Sequence, residues 1–306
     1  MKRDLLSPRD VSAGEMKTIF DRAALLKKAR KRGKLAATLK GKTLGMIFEK
    51  PSTRTQVSFD VAMWELGGHS VSLNASSSQL GRGETYADTG RVLSRYVQGI
   101  MIRTFAQAHC EELAKASSVP VVNGLTDEHH PCQILTDLFT IQELKKDLRK
   151  AVIAYVGDGN NMANSWMEAA LVLGFYLRIG TPAGFEPSVD VLKRIDRNKA
   201  RTIVLTRDPI EAVSGADVVN TDTWFSMGQE VLPGVLEDKR RAFEPFQVNA
   251  RLLKHAKKDA VVLHCLPAHR GEEITDEVMD GPQSKVFDQA ENRLHVQKAI
   301  LEMLLK

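Results

Sequence analysis

The chain has 306 residues, too many for one small core, and two α/β domains of similar size are the natural division. An apolar fraction of 43% and a charged fraction of 26% are those of an ordinary soluble globule, and no apolar run approaches membrane-spanning length. The net charge of +5 is mild, and the run Lys27-Lys28-Ala29-Arg30-Lys31-Arg32 reads as the basic last turn of a helix; without a binding module or aromatic interleaving, nucleic-acid binding is disfavoured.

In chain order, short apolar runs alternate with helical patterns. Strands are predicted at Thr43–Phe48, Ser70–Asn74, Ile100–Arg103 and Pro120–Asn123, then at Ala151–Val156, Tyr176–Thr181, Thr202–Thr206, Asp217–Thr221 and Ala260–Cys265. Helices are predicted at Ser52–Leu66, with Val57, Val61 and Trp64 on one face, and at Cys132–Leu144, Met162–Leu173 and Pro209–Ser214. This alternation predicts an α/β fold of two domains, each a parallel sheet flanked by helices, with the active site in the cleft between them. The boundary is expected in the charged stretch Lys145-Lys146-Asp147-Leu148-Arg149-Lys150, giving residues 1–146 and 147–287. A last helix at about 288–306, carrying Leu294, Leu301, Leu304 and Leu305, is expected to pack back on the first domain. Three sparse cysteines, Cys110, Cys132 and Cys265, fit free thiols in a reducing compartment; with no secretory apolar stretch after the charged N-terminus, a cytoplasmic protein is expected.

In open α/β sheets ligands bind beyond the carboxyl ends of the strands, and the polar clusters of this chain fall there. Ser52-Thr53-Arg54-Thr55 follows the first strand and opens a helix, so three hydroxyls and a guanidinium sit beside backbone N–H groups with no intrahelical partner. Such a turn suits a phosphate, although a plain N-cap with a solvated arginine is the alternative. Arg103 ends another strand, and His130-Pro131-Cys132-Gln133 sets an imidazole and a carboxamide at a helix start, where both could address a carbonyl and an amide; a loop histidine and a solvated glutamine remain the plainer possibility.

Gly157-Asp158-Gly159-Asn160-Asn161 invites a dinucleotide-binding assignment but has Met162 where a third glycine is needed, and its asparagines suit an amino-acid carboxylate. Asp222-Thr223-Trp224-Phe225-Ser226-Met227-Gly228 offers a carboxylate and a hydroxyl to an ammonium, or merely an N-cap to a turn. His264-Cys265-Leu266-Pro267-Ala268-His269-Arg270 sets a thiol among cations, which would activate it; a buried structural cysteine is the usual alternative, and the spacing matches no recognised zinc site. Leu266-Pro267 is a candidate cis peptide.

Ser52-Thr53-Arg54-Thr55, His130-Pro131-Cys132-Gln133, Asp222 to Gly228, His264-Cys265-Leu266-Pro267 and Val286-Phe287-Asp288-Gln289-Ala290-Glu291-Asn292-Arg293 occur in the order seen in the carbamoyltransferases. Together they resemble the ornithine branch of the aspartate/ornithine carbamoyltransferase family over nearly the whole chain. The resemblance implies transfer of the carbamoyl group of carbamoyl phosphate to ornithine, giving citrulline, in arginine metabolism and without metal or organic cofactor. It implies carbamoyl phosphate binding by Ser52, Thr53, Arg54, Thr55, Arg103, His130, Gln133, Cys265, Leu266 and Arg293, with Gln79 serving a neighbouring subunit of a homotrimer or a multiple of one. It implies ornithine binding by Asn161, Asp222, Ser226 and Met227, and catalytic parts for Arg103, His130, Asp222 and Cys265. One departure stands out: Gln56 occupies a place where many relatives carry a further arginine, which changes local charge and leaves the phosphate ligands unaltered.

Overall fold

The computed structural model describes all residues except Met1, Lys146, 199–200 and 226–232. The chain forms two compact units, one of Met1–Thr136 with Glu291–Lys306 and one of Asp137–Ala290.

The first unit holds a parallel sheet of β1 (Thr43–Phe48), β2 (His69–Asn74), β3 (Gly99–Arg103) and β4 (Val121–Leu125) in the order β2-β1-β3-β4. Around it run α1 (Ala13–Lys31), α2 (Thr53–Glu65), α3 (Tyr86–Leu93) and α4 (Gln107–Ala116), and α5 (Pro131–Lys145) begins in this unit. Residues Leu44–Phe48 of β1 and all of β3 are buried, because a parallel sheet covered on both faces has no wet side. The register between β3 and β4 shifts at Ile102/Arg103, so Arg103 pairs with Leu125 rather than Gly124. That bulge re-aims the strand end where Arg103 emerges.

Helix α2 turns the other way from its sequence reading. Val57 is 55% exposed and Trp64 68%, while Thr55, Phe59, Ala62 and Met63 are buried. Phe59, Ala62, Met63 and Leu66 form the more continuous stripe at three- and four-residue spacing, and that stripe meets the sheet.

The second unit holds β5 (Val152–Val156), β6 (Tyr176–Gly180), β7 (Ile203–Thr206), β8 (Val218–Thr221) and β9 (Val261–His264), all parallel, in the order β7-β6-β5-β8-β9. Chain order reverses between the neighbours β5 and β8, the switch point at which such sheets present loops to a ligand. Helices α6 (Asn161–Leu173), α7 (Val189–Asn198), α8 (Pro209–Val213), α9 (Pro233–Phe243), α10 (Ala250–Leu253) and α11 (Asp276–Met279) complete it. Its core gathers Ala154, Val156, Val219, Phe246, Val262 and Ile274, among others. All nine predicted strands are present, with bounds within two residues of those expected, and the two-sheet α/β class stands.

Helix α12 (Val286–Leu305) starts in the second unit and continues in the first. Its Gln289 accepts the His264 backbone N–H at 2.9 Å and donates to Asp137 at 2.6 Å. Further along, Lys298 donates to Glu65 at 2.5 Å, where Arg30 also binds at 2.6 Å, and Leu301 and Leu305 are buried. Among the described residues no helix is long and apolar enough to cross a membrane.

Candidate active site

In the first unit, polar groups collect at the carboxyl ends of the strands. Ser52 caps α2 with extended backbone, and its hydroxyl accepts the Thr55 N–H at 3.3 Å and donates to the Thr55 hydroxyl at 3.0 Å. Buried Arg293 reaches from α12 and donates to Thr55 Oγ1 at 2.8 Å and to Gln133 Oε1 at 2.7 Å. Thr55 therefore accepts twice, which leaves its own O–H to donate onward. Arg54 is half-buried on the same turn and makes no hydrogen bond or ion pair to a described residue. The loop leading into the turn is pinned by Lys50, which is buried, pairs with Asp127 and lies 4.2 Å from the centre of the Phe105 ring.

His130 precedes α5, with Pro131 at the first helical position, and its carbonyl accepts the Ile134 N–H at 3.1 Å. Burial first, then the positive charges of Arg293 and Arg103, hold its imidazole well below the usual histidine range, so it is neutral at physiological pH. Cys132 faces the core, where burial pushes its thiol up to about 12. Gln79 stands apart: it is exposed, and its carbonyl accepts the N–H groups of Arg82 and Glu84 at 2.9 and 3.1 Å.

The second unit has the opposite charge. Asp222, just past β8 and buried, accepts the Cys265 thiol at 2.9 Å on one oxygen and the Asn160 amide at 2.9 Å on the other. Asn160 caps α6 by accepting the N–H groups of Met162 and Ala163, and it also accepts the Tyr155 hydroxyl at 3.1 Å. Asn161 is the first helical residue. The glycines before it serve the backbone. Gly157 has φ of 145°, and a Cβ on Gly159 would fall 2.3 to 2.4 Å from backbone atoms of Phe185, Glu186 and Pro187. Backbone conformation at Gly157 and close packing at Gly159 thus account for the two glycines, and the dinucleotide assignment loses its basis.

The three basic residues beside Cys265 in sequence are engaged elsewhere: His264 pairs with Glu273 at 3.0 Å, His269 meets the Thr223 hydroxyl at 3.0 Å, and Arg270 binds Asp276 and Asp280. The Cys265 thiol donates to the Asp222 carboxylate. His264 Nδ1 accepts the Leu266 N–H at 2.9 Å, so its Nε2 carries the proton given to Glu273. Leu266 has a left-handed φ of 60°, and its bond to Pro267 is cis, as the sequence suggested. Asp222, His264 and Cys265 do present ligand atoms within 4.8 Å of one another, yet both His264 nitrogens are already engaged by protein.

Of the residues singled out from sequence, Ser52, Thr55, Gln133 and Arg293 join in one hydrogen-bonded chain, with His130 and Arg103 in electrostatic reach. Asp222 and Cys265 meet directly. Ser226 and Met227 lie outside the described residues. Asn160, the His264–Glu273 pair and Lys239, which binds Asp158 at 2.8 Å, were not foreseen as site components. Asn160 had a readable signal, since an Asn before an apolar helix is an N-cap whose amide NH2 is left to donate.

Comparison with known proteins agrees with this two-part arrangement. Residues 3–143 match the carbamoyl-P binding domain of the aspartate/ornithine carbamoyltransferases, and residues 149–304 match their Asp/Orn binding domain. The ornithine carbamoyltransferase of Syntrophus aciditrophicus is 56% identical over 305 residues, covering all of both chains. The solved structure of ornithine carbamoyltransferase from Pyrococcus furiosus is 53% identical, with a TM-score of 0.94 over 99% of this chain and 97% of that one. The anabolic enzyme of Campylobacter jejuni is 40% identical, with a TM-score of 0.91 over 99% of each chain. The chain belongs to the aspartate/ornithine carbamoyltransferase family.

Proposed function

We propose that this enzyme transfers the carbamoyl group of carbamoyl phosphate to the δ-amine of L-ornithine, giving L-citrulline and phosphate. The observation that carries the reading is the hydrogen-bonded chain Ser52–Thr55–Arg293–Gln133 at the N-terminus of α2, with Arg54 beside it unpaired among the described residues. Helix N–H groups and a guanidinium suit a phosphate, and Gln133 suits a carboxamide.

Ser52, Thr53, Arg54 and Thr55 bind the phosphate, and Arg103 reaches both phosphate and carbonyl oxygen. His130 and Gln133 orient the carbamoyl group, with Cys265, Leu266 and Arg293 completing its pocket. Asp222 and Ser226 grip the α-ammonium of ornithine, Asn161 meets its carboxylate, and Met227 helps to hold the same amino-acid end.

Attack by the amine builds charge on the carbonyl oxygen, which Arg103, neutral His130 and Thr55 stabilise as preorganised donors. Collapse releases phosphate into the anion site that already holds it, and that phosphate can take the amine's proton. Asp222 and Cys265 orient the nucleophile. Residues 1–146 with the C-terminal helix thus serve carbamoyl phosphate and residues 147–287 serve ornithine, with no cofactor. Exposed Gln79 serves a neighbour's site in a cytoplasmic homotrimer or a multiple of one, working in arginine biosynthesis.

The test is citrulline formation from carbamoyl phosphate with a panel of amines. Ornithine should react and the rate should climb through neutral to alkaline pH, because only the neutral amine attacks. Lysine and putrescine should react poorly, the first because its amine overshoots and the second because it lacks the carboxylate that Asn161 would meet. Putrescine matching ornithine would remove the roles of Asn161 and Asp222.

A further inference from the structure

Lys239 on α9 carries a charge that the reaction as described does not use. Its ammonium is buried, donates to Asp158 at 2.8 Å, and lies 5.2 to 5.4 Å from the ring centres of Phe185, Phe225 and Phe243. Phe185 and Phe243 pack edge to face at 4.8 Å, and Trp224 lies 5.7 Å from Phe243. A buried ion pair is weak grounds for stability, since an apolar residue in an aromatic surround often does as well. Retaining a cation here points to a task of placement.

The task is visible in what Asp158 touches. Its backbone carbonyl, 3.0 Å away, and Asn160 Oδ1, 3.1 Å away, share the one proton of the Tyr155 hydroxyl, and the Asn160 amide donates to Asp222 at 2.9 Å. Asp222 in turn holds the Cys265 thiol. Two carboxylates, Asp158 after β5 and Asp222 after β8, therefore share one buried neighbourhood. The groups facing Asp158 are Lys239 from α9, Asp222 past β8 and the Tyr155 phenol on β5, with Cys265 beyond Asp222. Burial and Asp222 favour the protonated form of Asp158, and Lys239 opposes both.

We propose that Lys239 is a positioning residue for the amino-acid substrate, its ammonium fixing ionised Asp158 so that Tyr155 and Asn160 present Asp222 to ornithine. The proposal rests on the function stated above and assigns that site a specificity determinant on a helix that, among the described residues, makes no hydrogen bond or ion pair with Asp222.

The experiment uses the full-length enzyme with Lys239→Met, Lys239→Arg, Asp158→Asn and the double variant Lys239→Met with Asp158→Asn. Coupled neighbours of this kind shift binding by roughly 2- to 150-fold, and we expect Lys239→Met to raise the ornithine KM about tenfold or more. The carbamoyl phosphate KM should stay unchanged, and Lys239→Arg should restore part of the ornithine affinity. In Lys239→Met, Asp158 takes up a proton at higher pH than in the unaltered enzyme, so kcat/KM for ornithine gains an acidic limb. That limb should vanish in the double variant.

Citrulline formation by the unaltered enzyme tests the underlying function separately. With that activity present, a Lys239→Met enzyme of unchanged ornithine KM overturns the proposal, as does an equal rise in both KM values. Should Lys239→Met fail to fold, Lys239→Arg and Asp158→Asn decide it by the same ratio of KM values.

Discussion

The two half-sites are built on the same plan and filled with opposite chemistry. Each lies at the carboxyl ends of parallel strands, beside a helix N-terminus capped by a small polar residue, Ser52 in one and Asn160 in the other. Around Ser52 gather the guanidinium groups of Arg54, Arg103 and Arg293, two of them buried, and His130 is held neutral. Around Asn160 they are Asp158 and Asp222, with Lys239 as the compensating cation. An anion suits the first and an ammonium the second. The fold supplies loops at a strand end and a helix start; side-chain charge decides which substrate end each loop receives.

Arg54 offers the sharpest break of this comparison. Because it has no partner among the described residues, Arg54→Ala should leave the melting temperature unchanged while removing a charge-assisted contact worth about 2–5 kcal/mol, a loss of roughly 30- to 4,000-fold in turnover at limiting carbamoyl phosphate. Near-normal citrulline synthesis by the folded variant would sink the phosphate assignment.

A second test asks whether the first half-site is complete within one chain. An Arg54→Ala enzyme and a Gln79→Ala enzyme, each impaired, should recover activity above that of either alone when dissociated and reassembled together. Sedimentation of a fully active monomer would contradict a shared site.

The neutrality of His130 gives a third, smaller effect. Its imidazole nitrogens should show the neutral form by nuclear magnetic resonance down through pH 6. The sign for stability follows from its lowered pKa: the unfolded chain takes the proton near 6.5 and the folded one does not. Stability should therefore fall as pH drops from about 7 towards 5, and His130→Gln should lose part of that slope in melts. A charged His130 at pH 7 would move it out of the role of neutral donor.

Least of all should come from Gln56, which is exposed. Gln56→Arg should change catalysis by no more than about twofold, as surface changes usually do. A large gain would mean the anion site lacks a charge it needs.

The sequence showed some of this better than the rest, for physical reasons. Buried parallel strands read as plain apolar runs, so β1, β3 and β5 stood out, and Ser52–Thr55 announced a capped helix. On α2 two apolar stripes competed, and only packing against the sheet could choose Phe59 and Met63 over Val57 and Trp64. The basic side chains next to Cys265 in sequence turned to Glu273, Thr223, Asp276 and Asp280, because bonding partners are set in space. Lys239 was hidden in Lys239-Arg240-Arg241, a run that looks solvated, and its partner Asp158 lies 81 residues away.

The most direct measurement of the division between half-sites is a pair of titrations on one variant, Asp222→Asn. Calorimetry should show carbamoyl phosphate binding as in the unaltered enzyme, while kcat/KM for ornithine falls by about 2 kcal/mol or more, roughly 30-fold, because the lost charge faces only the second substrate. Loss of carbamoyl phosphate binding in that variant, or ornithine use left intact, would contradict the assignment of anion and ammonium to separate units.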